Sequence, residues 1–444
     1  MRRILSFVVI IGLMFSLIPF GYINSAKAED LEVIWVEGYD YIGDFSDGMA
    51  IVRIDDEQKH RKYGAIDKTG KLVIPVEFDY IAGFDTREDG LSWAVKGDTR
   101  GYIDKTGKFV KQYKYTYVGN FIDGVAVVKG GYGDFGTYGV IDETGKVIVP
   151  TDKDLISGIS EGLISIWDDG KNIFVDKTGK KVLELKAERC GSFHEGLAII
   201  VRNGKCGFMD KTGKVVIPII YDYVSEFKDG IAMIATENDY GYMEKRGYID
   251  KTGKEFIPMI YDYVSEFEDG LARVNKDNKY GYIDKTGKVV IPIKYDHIGE
   301  FKDGLAYVKV KGSNWRDNKY GYVDKSGNEV IPLIYNLAGD FSEGLASVTI
   351  EIEGEYDEDG SELRKAGFIN KTGKMVIPAI YDDAGSFSEG WAWVKKGDKC
   401  GGIDKTGKEI IPLGMFDDVD DCGDGMLRIE QNGKTGFIKN PLMP

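Results

Sequence analysis

The chain has 444 residues and a formal net charge of −15, with 43% apolar and 12% aromatic residues. An acidic balance of this size argues against nucleic acid and anionic membrane surfaces as partners. The apolar content is enough to bury a continuous core, and length alone would suggest about three domains.

Residues 1–28 read as a secretory signal. Arg2 and Arg3 form a basic end, Ile4 to Phe20 an apolar stretch, and Ala26-Lys27-Ala28 a small-x-small cleavage site. The mature chain is expected to start at Glu29 and to be released or held at the cell surface. No cysteine lies near the cleavage site, so a lipid anchor is not expected. No second apolar stretch is long enough to span a bilayer.

From residue 29 to 439 the chain repeats itself, and 440–444 is a short tail. The unit is cleanest at 280–306. Its core, Gly281-Tyr282-Ile283-Asp284-Lys285-Thr286-Gly287-Lys288, opens again at Gly64, Gly101, Gly139, Gly207, Gly247, Gly321, Gly367, Gly401 and Gly436. A degenerate copy starts at Ile173, making eleven. A recurrence of this kind means a repeat architecture and overrides the count of domains from length.

Each unit holds three short apolar runs. Run A is Leu305-Ala306-Tyr307-Val308, run B Tyr280-Gly281-Tyr282-Ile283, and run C Val289-Val290-Ile291-Pro292. All are β-branched or aromatic and bounded by turn residues, so they read as strands. Asp284-Lys285-Thr286-Gly287 joins B to C as a hairpin loop, with Asp capping the turn and Gly supplying positive φ. The recurring Asp is thus a turn residue before it is a catalytic carboxylate. In run A a small Ala recurs (Ala232, Ala272, Ala306, Ala346, Ala392) and marks the close approach of a neighbouring unit. Pro ends run C, and Tyr-Asp then starts a loop to the next Phe-x-acidic-Gly.

These units resemble the bacterial WG (KWG) repeat family, over about Val33 to Lys439. The motifs that carry the resemblance are Gly-aromatic-Ile-Asp, Val-Ile-Pro, Tyr-Asp and Phe-acidic-Gly-Leu-Ala. The family's Trp-Gly pair is Tyr-Gly at Tyr63, Tyr138, Tyr280 and Tyr320, with Cys at Cys206 and Cys400 and Arg at Arg100 and Arg246. The resemblance implies repeat structure and interaction rather than a reaction.

The repeat phase bears on architecture. Val33-Ile34-Trp35-Val36 looks like a run C without its A and B, and the last unit (Met426–Ile429, Gly436–Ile438) has A and B without C. Complementary ends suit a closed propeller, but propellers typically have 4–8 blades of four strands. The favoured expectation is therefore an all-β array of three-stranded repeats forming an extended solenoid or superhelix, with a closed many-bladed propeller as the alternative.

Length varies mainly in the A-to-B loops: 55–62, 130–137, 237–245, 311–319 and 351–365. Insertions at one point of a repeat map to one face, often the binding face. Trp315, Arg316, Tyr240 and Tyr356 are the candidate anchors there, for a protein partner or a cell-surface glycan. The plain alternative is that these are tolerated solvent loops.

Other motifs carry little. Gly158–Gly162 matches G-x-S-x-G, and 131–136 matches G-x-G-x-x-G, but neither has the helix its chemistry needs. His60, His194 and His297 lack metal-ligand spacing. The acidic segments 357–362 and 417–424 raise weak calcium binding and fall short of an EF-hand. Export would permit disulfides, and Cys190–Cys206 with Cys400–Cys422 is the preferred pairing, against buried free thiols. Neither a cofactor nor a reaction is expected. The reading is an exported, non-enzymatic interaction or surface scaffold, with a glycan or cell-wall binder as the alternative.

Overall fold

The computed structural model describes residues 31–443 apart from 59, 85–89, 131–135, 239–241, 357–359 and 361. The proposed signal segment lies outside these residues. The short strand β1 (Ile34–Trp35) comes first. The first complete blade then consists of β2 (Tyr41–Ser46), β3 (Met49–Asp55), β4 (Arg61–Asp67) and β5 (Leu72–Phe78), antiparallel in that order. Nine more sheets repeat this pattern at 80–113, 117–153, 155–185, 189–221, 223–261, 263–295, 297–335, 337–381 and 383–416. The eleventh holds Asp418–Asp421, Met426–Gln431 and Lys434–Lys439, and β1 supplies its fourth strand, with Ile34 opposite Phe437 and Trp35 opposite Gly436.

This corrects the favoured expectation twice. The blades have four strands, and they close into an eleven-bladed propeller instead of extending as a solenoid. The fourth strand precedes run A and is usually two residues long, as at Tyr223–Val224 or Tyr263–Val264. It falls on the two residues after Tyr-Asp, in the stretch taken for a loop, and two residues show no period-2 pattern. The core demonstrates closure. Among the described residues eleven clusters each join two neighbouring blades, the one between the second and third through half-buried Trp93 and Tyr113, whereas an open row of eleven blades would have one interface fewer. The closing cluster unites Cys422, Met426 and Phe437 of the last blade with Phe45, Ala50, Val52 and Ile66 of the first.

The interface recipe is legible in one example. Between the eighth and ninth blades, Tyr322, Ile331 and Tyr335 meet Ala338, Phe341, Ala346 and Val348. The rings of Tyr322 and Phe341 lie 4.8 Å apart, edge to face. The same run-B ring meets the next blade's Phe at Phe208–Phe227 (4.6 Å) and Phe368–Phe387 (4.9 Å). Such pairs contribute about 0.5–1.5 kcal/mol beyond burial. Ala306 and Ala346 are fully or almost fully buried, as expected for a small residue facing the neighbouring blade.

Two local devices explain the repeated glycines. Tyr280 pairs with Tyr295 and Tyr282 with Ile291, so run C bulges past Gly281. A Cβ on Gly281 would meet the Ile291 carbonyl oxygen at 2.5 Å. Pro292 lies within this bulge, where no ladder donor is needed. The acidic-Gly pair is a tight turn with both residues at positive φ, 53° at Asp303 and 87° at Gly304.

All four cysteines are free, against the preferred pairing. Ile200 lies opposite both Cys190 and Gly207, so Cys206, one residue from Gly207, points to the other face of the sheet from Cys190. The two are also two strands apart, roughly 9–10 Å, beyond disulfide reach. Cys422 is buried in the closing cluster, donating to the Met426 carbonyl at 3.2 Å.

Candidate binding surfaces

The antiparallel order places every A-to-B loop on one face of the ring, and every acidic-Gly and B-to-C turn on the other. The second face is structural. In most B-to-C turns, one Asp oxygen accepts three bonds, and at Asp324 it accepts two, from the Ser326 and Asn328 amides. Asp284 Oδ1 takes three, from the Thr286 amide (2.8 Å), the Thr286 hydroxyl (2.6 Å) and the Lys288 amide (3.1 Å). Asn370 does the same in its blade, so the role needs no charge. The turn lysine then reaches back to the acidic-Gly carboxylate of the preceding blade, as in Lys105–Asp47 (2.7 Å), Lys251–Glu195 (2.8 Å) and Lys405–Glu343 (2.7 Å). That carboxylate also accepts from the next blade's turn glycine, as in Gly230 to Glu195 (3.0 Å) and, across the closure, Gly48 to Asp424 (2.6 Å).

The carboxylate of Tyr-Asp is equally committed. Asp296 accepts from the Lys311 amide (2.9 Å) of its own A-to-B loop and pairs with Lys279 (2.8 Å) of the preceding blade. The Lys279 hydrogen bond holds its carboxyl below the usual range. The repeated acids therefore tie blades together.

The loop face carries the anchors read from sequence. Trp315 opens a single 3-10 turn, Trp315–Asp317, capped by Asn314, whose side chain accepts from the Arg316 amide at 2.8 Å. The indole is 69% exposed. The Arg316 guanidinium lies over it at 5.1 Å, and Arg364 of the next blade at 5.7 Å. Arg364 also donates to the Arg316 carbonyl (2.6 Å) and pairs with Glu351 (2.7 Å), whose second neighbour is Asn336 (2.9 Å). Tyr356 ends the twelve-residue strand Leu345–Tyr356 and is 64% exposed, with no ring contact to Trp315 among the described residues. Tyr240 lies outside the described residues, as do Tyr132, Phe135 and most of the 357–362 segment. The structure thus brings Trp315 and Arg316 together and adds Arg364. The sheet surface around Tyr282 and Tyr307 is no alternative face. Tyr282 is buried, with its hydroxyl on the Gly299 carbonyl at 2.8 Å, and Tyr307 stacks on His297.

The sequence reading missed a cavity of about 770 Å³ where the fifth, sixth and seventh blades meet. Tyr223, Ser225, Tyr263 and Ser265 of the leading short segments line it, with Cys206, Arg189 and Arg246. The departures from the repeat at Cys206 and Arg246 were visible. What they face depends on the short strands that the sequence did not reveal.

Among the described residues no group of three or more His, Cys, Asp or Glu is placed to hold a metal ion. His60 pairs with Asp56 (3.0 Å) and His194 with Glu226 (2.9 Å). Ser160 of G-x-S-x-G ends a strand opposite Leu163 in an ordinary hairpin. The G-x-G-x-x-G segment falls almost wholly outside the described residues. No helix among the described residues is long and apolar enough to cross a membrane.

With eleven blades in the ring, the family model for the WG containing repeat matches eleven segments: 35–57, 63–99, 101–131, 138–171, 174–206, 207–240, 247–280, 280–315, 320–351, 367–400 and 401–434. The chain belongs to the WG repeat family. No curated protein matches its sequence. Among solved structures, it is similar to a eukaryotic initiation factor (12% identity, 90% of this chain and 100% of that one, TM-score 0.36). It is also similar to AztD of Citrobacter koseri (12%, 70% and 93%, TM-score 0.24) and to the V. cholerae biofilm matrix protein Bap1 (10%, 95% and 90%, TM-score 0.23). At these scores the likeness is distant, and the blade count and closure rest on this chain's own strand pairing.

Proposed function

We propose that this WG repeat protein is an exported, non-enzymatic binding scaffold. The observation that carries the reading is the division of labour between the two faces. The turn chemistry of one face repeats from blade to blade, while the loop face, beyond its repeated Tyr-Asp ion pairs, varies in length and presents an indole that the fold does not bury. A braced, exposed Trp beside two arginines suits a protein partner's hot spot. Export is supported by the Arg2-Arg3 end, the apolar stretch and the Ala26-Lys27-Ala28 site. N-terminal sequencing of protein recovered outside the cell should begin at or near Glu29, and an intact Met1 in a membrane fraction would refute cleavage and release in favour of an uncleaved membrane anchor.

A glycan or cell-wall ligand is the second reading, and the cavity favours it. Its mixture of tyrosine rings, serines and charged side chains suits a polar ring-bearing ligand better than a flat protein surface. Comparing retention on purified peptidoglycan and on glycan arrays with photo-crosslinking from position 315 separates the two. Crosslinks to one secreted protein support the loop face, and saturable glycan retention supports the cavity.

A further inference from the structure

The cavity has a cause in sequence. At the run-B position where Tyr63 meets Tyr80 of the next blade (6.2 Å) and Tyr280 meets His297 (5.7 Å), the fifth blade has Cys206. A thiol in place of a phenol ring leaves space in front of Tyr223. The sixth blade has Arg246 at the same position, opposite Ala235, which in turn faces Tyr223. Arg246 lies over the Tyr263 ring at 5.1 Å, and its Nε is buried without a hydrogen-bond partner among the described residues. Arg189 lines the same space from the fifth blade.

The acids at the rim are engaged or peripheral. Glu226 bonds His194 (2.9 Å) and Glu266 bonds Lys228 (2.7 Å), while Asp229 sits in the acidic-Gly turn. Neither Arg189 nor Arg246 has a carboxylate within ion-pair distance among the described residues. Guanidinium groups present several donors in a planar fork that matches a carboxylate. The half-buried Tyr223 and the stacked Tyr263 offer apolar surface beside them.

We propose that this cavity binds an acidic glycan through a carboxylated sugar ring, with the carboxylate on Arg246 and Arg189 and the ring against Tyr223. The inference rests on the glycan reading above and adds the charge of the sugar.

Calorimetric titration of the purified protein with tetragalacturonate, cellotetraose and a hexa-aspartate peptide tests it. Tetragalacturonate should bind at least about tenfold more tightly than cellotetraose, a difference of about 1.4 kcal/mol. Arg246→Met and Arg189→Met should each weaken it about tenfold or more, and Arg246→Lys by less than Arg246→Met. Cys206→Tyr, which refills the space, should abolish it with the melting temperature retained. Equal binding of cellotetraose would overturn the acidic-sugar inference and leave the glycan reading standing. Binding of none of the three, with no retention on the glycan array, would remove both. Equal or tighter binding of hexa-aspartate would make the cavity an acidic-peptide site and overturn the proposal. Unchanged tetragalacturonate affinity in all three arginine variants would place the glycan elsewhere.

Discussion

Phe437 of the last blade packs edge-on against Phe45 of the first, ring centroids 5.1 Å apart at 84°. This is the contact that Tyr322 makes with Phe341 inside the array. The junction of the chain's two ends is thus built like every other blade interface, with β1 completing the last sheet. A strand that joins distant parts of the chain converts an unprotected end into a shared interface.

Closure makes a direct comparison possible. Phe45 and Phe341 are both buried, so Phe45→Ala and Phe341→Ala should destabilise alike, each by about 3–5 kcal/mol in denaturant unfolding. In an open array Phe45 would have no ring partner, and its replacement would cost far less than that of Phe341.

The turn Asp has a built-in control. Asp104 accepts from the Thr106 amide (2.9 Å), the Thr106 hydroxyl (2.6 Å) and the Lys108 amide (3.2 Å), as Asn370 does in its own turn. Asp104→Asn should therefore be nearly neutral, while Asp104→Ala should cost about 1 kcal/mol, the scale of a lost cap. A loss of ligand binding in Asp104→Asn at unchanged stability would give the carboxylate a role beyond the turn.

Acid should act on the two kinds of Asp in opposite directions. The Thr106 hydrogen bond holds Asp104 below the usual carboxyl range, and the Lys62 hydrogen bond does so for Asp79. For these groups the folded pKa lies below the unfolded one. Their contribution is full above about pH 4 and is lost as pH falls through the folded values. Asp340 is the reverse case. Burial raises its carboxyl, and its Oδ1 is buried without a partner among the described residues. Its ionisation costs stability as pH rises through the window above 3.8. Asp340→Asn should therefore raise the melting temperature at pH 7, with the gain disappearing in melts at about pH 3.5. An equal gain at both pH values would point to packing instead of charge.

The four thiols should remain reduced in the exported protein. Burial pushes Cys190 up to about 11 and Cys422 up to about 12, so neither is a ready thiolate at neutral pH. Mass spectrometry of protein alkylated after denaturation without reduction should find four modified cysteines. A Cys190–Cys206 bridge would contradict the strand register of the fifth blade.

What could be read from sequence was what each repeat says locally: the Asp turn, the small Ala and the complementary ends. The bulge at Gly281 and Pro292 was not, since Pro reads as the end of run C while the strand runs on to Tyr295. Closure could not be read, because it depends on the rotation between adjacent blades, summed eleven times, and no single residue encodes that angle. The leading strand could not be read because Tyr223–Val224 is too short to show a period. Trp315 was legible as an exposed addition to a variable loop. Its partner Arg364 was not, since it arrives from the next blade.

The loop face makes the last prediction. Trp315 is held by Arg316 and Arg364 but fills no core cluster, and the described residues bury none of its 3-10 turn. Replacing Trp315 and Arg316 together by Ala should move stability by no more than about 0.5 kcal/mol, the range of surface substitutions. Arg364 keeps its bond to Glu351 in that variant, and its bond to residue 316 uses a backbone carbonyl, so the scaffold beneath stays intact. Affinity for a protein captured at this face should nevertheless fall by about 2 kcal/mol or more if the indole is a hot spot. Tyr356→Ala, at the tip of the neighbouring arm, should have a separate and smaller effect, because no ring contact couples it to Trp315 among the described residues. A double variant that loses several kcal/mol of fold stability would make Trp315 a structural residue. A variant that binds the captured partner as tightly as wild type would move the protein-binding site away from this loop.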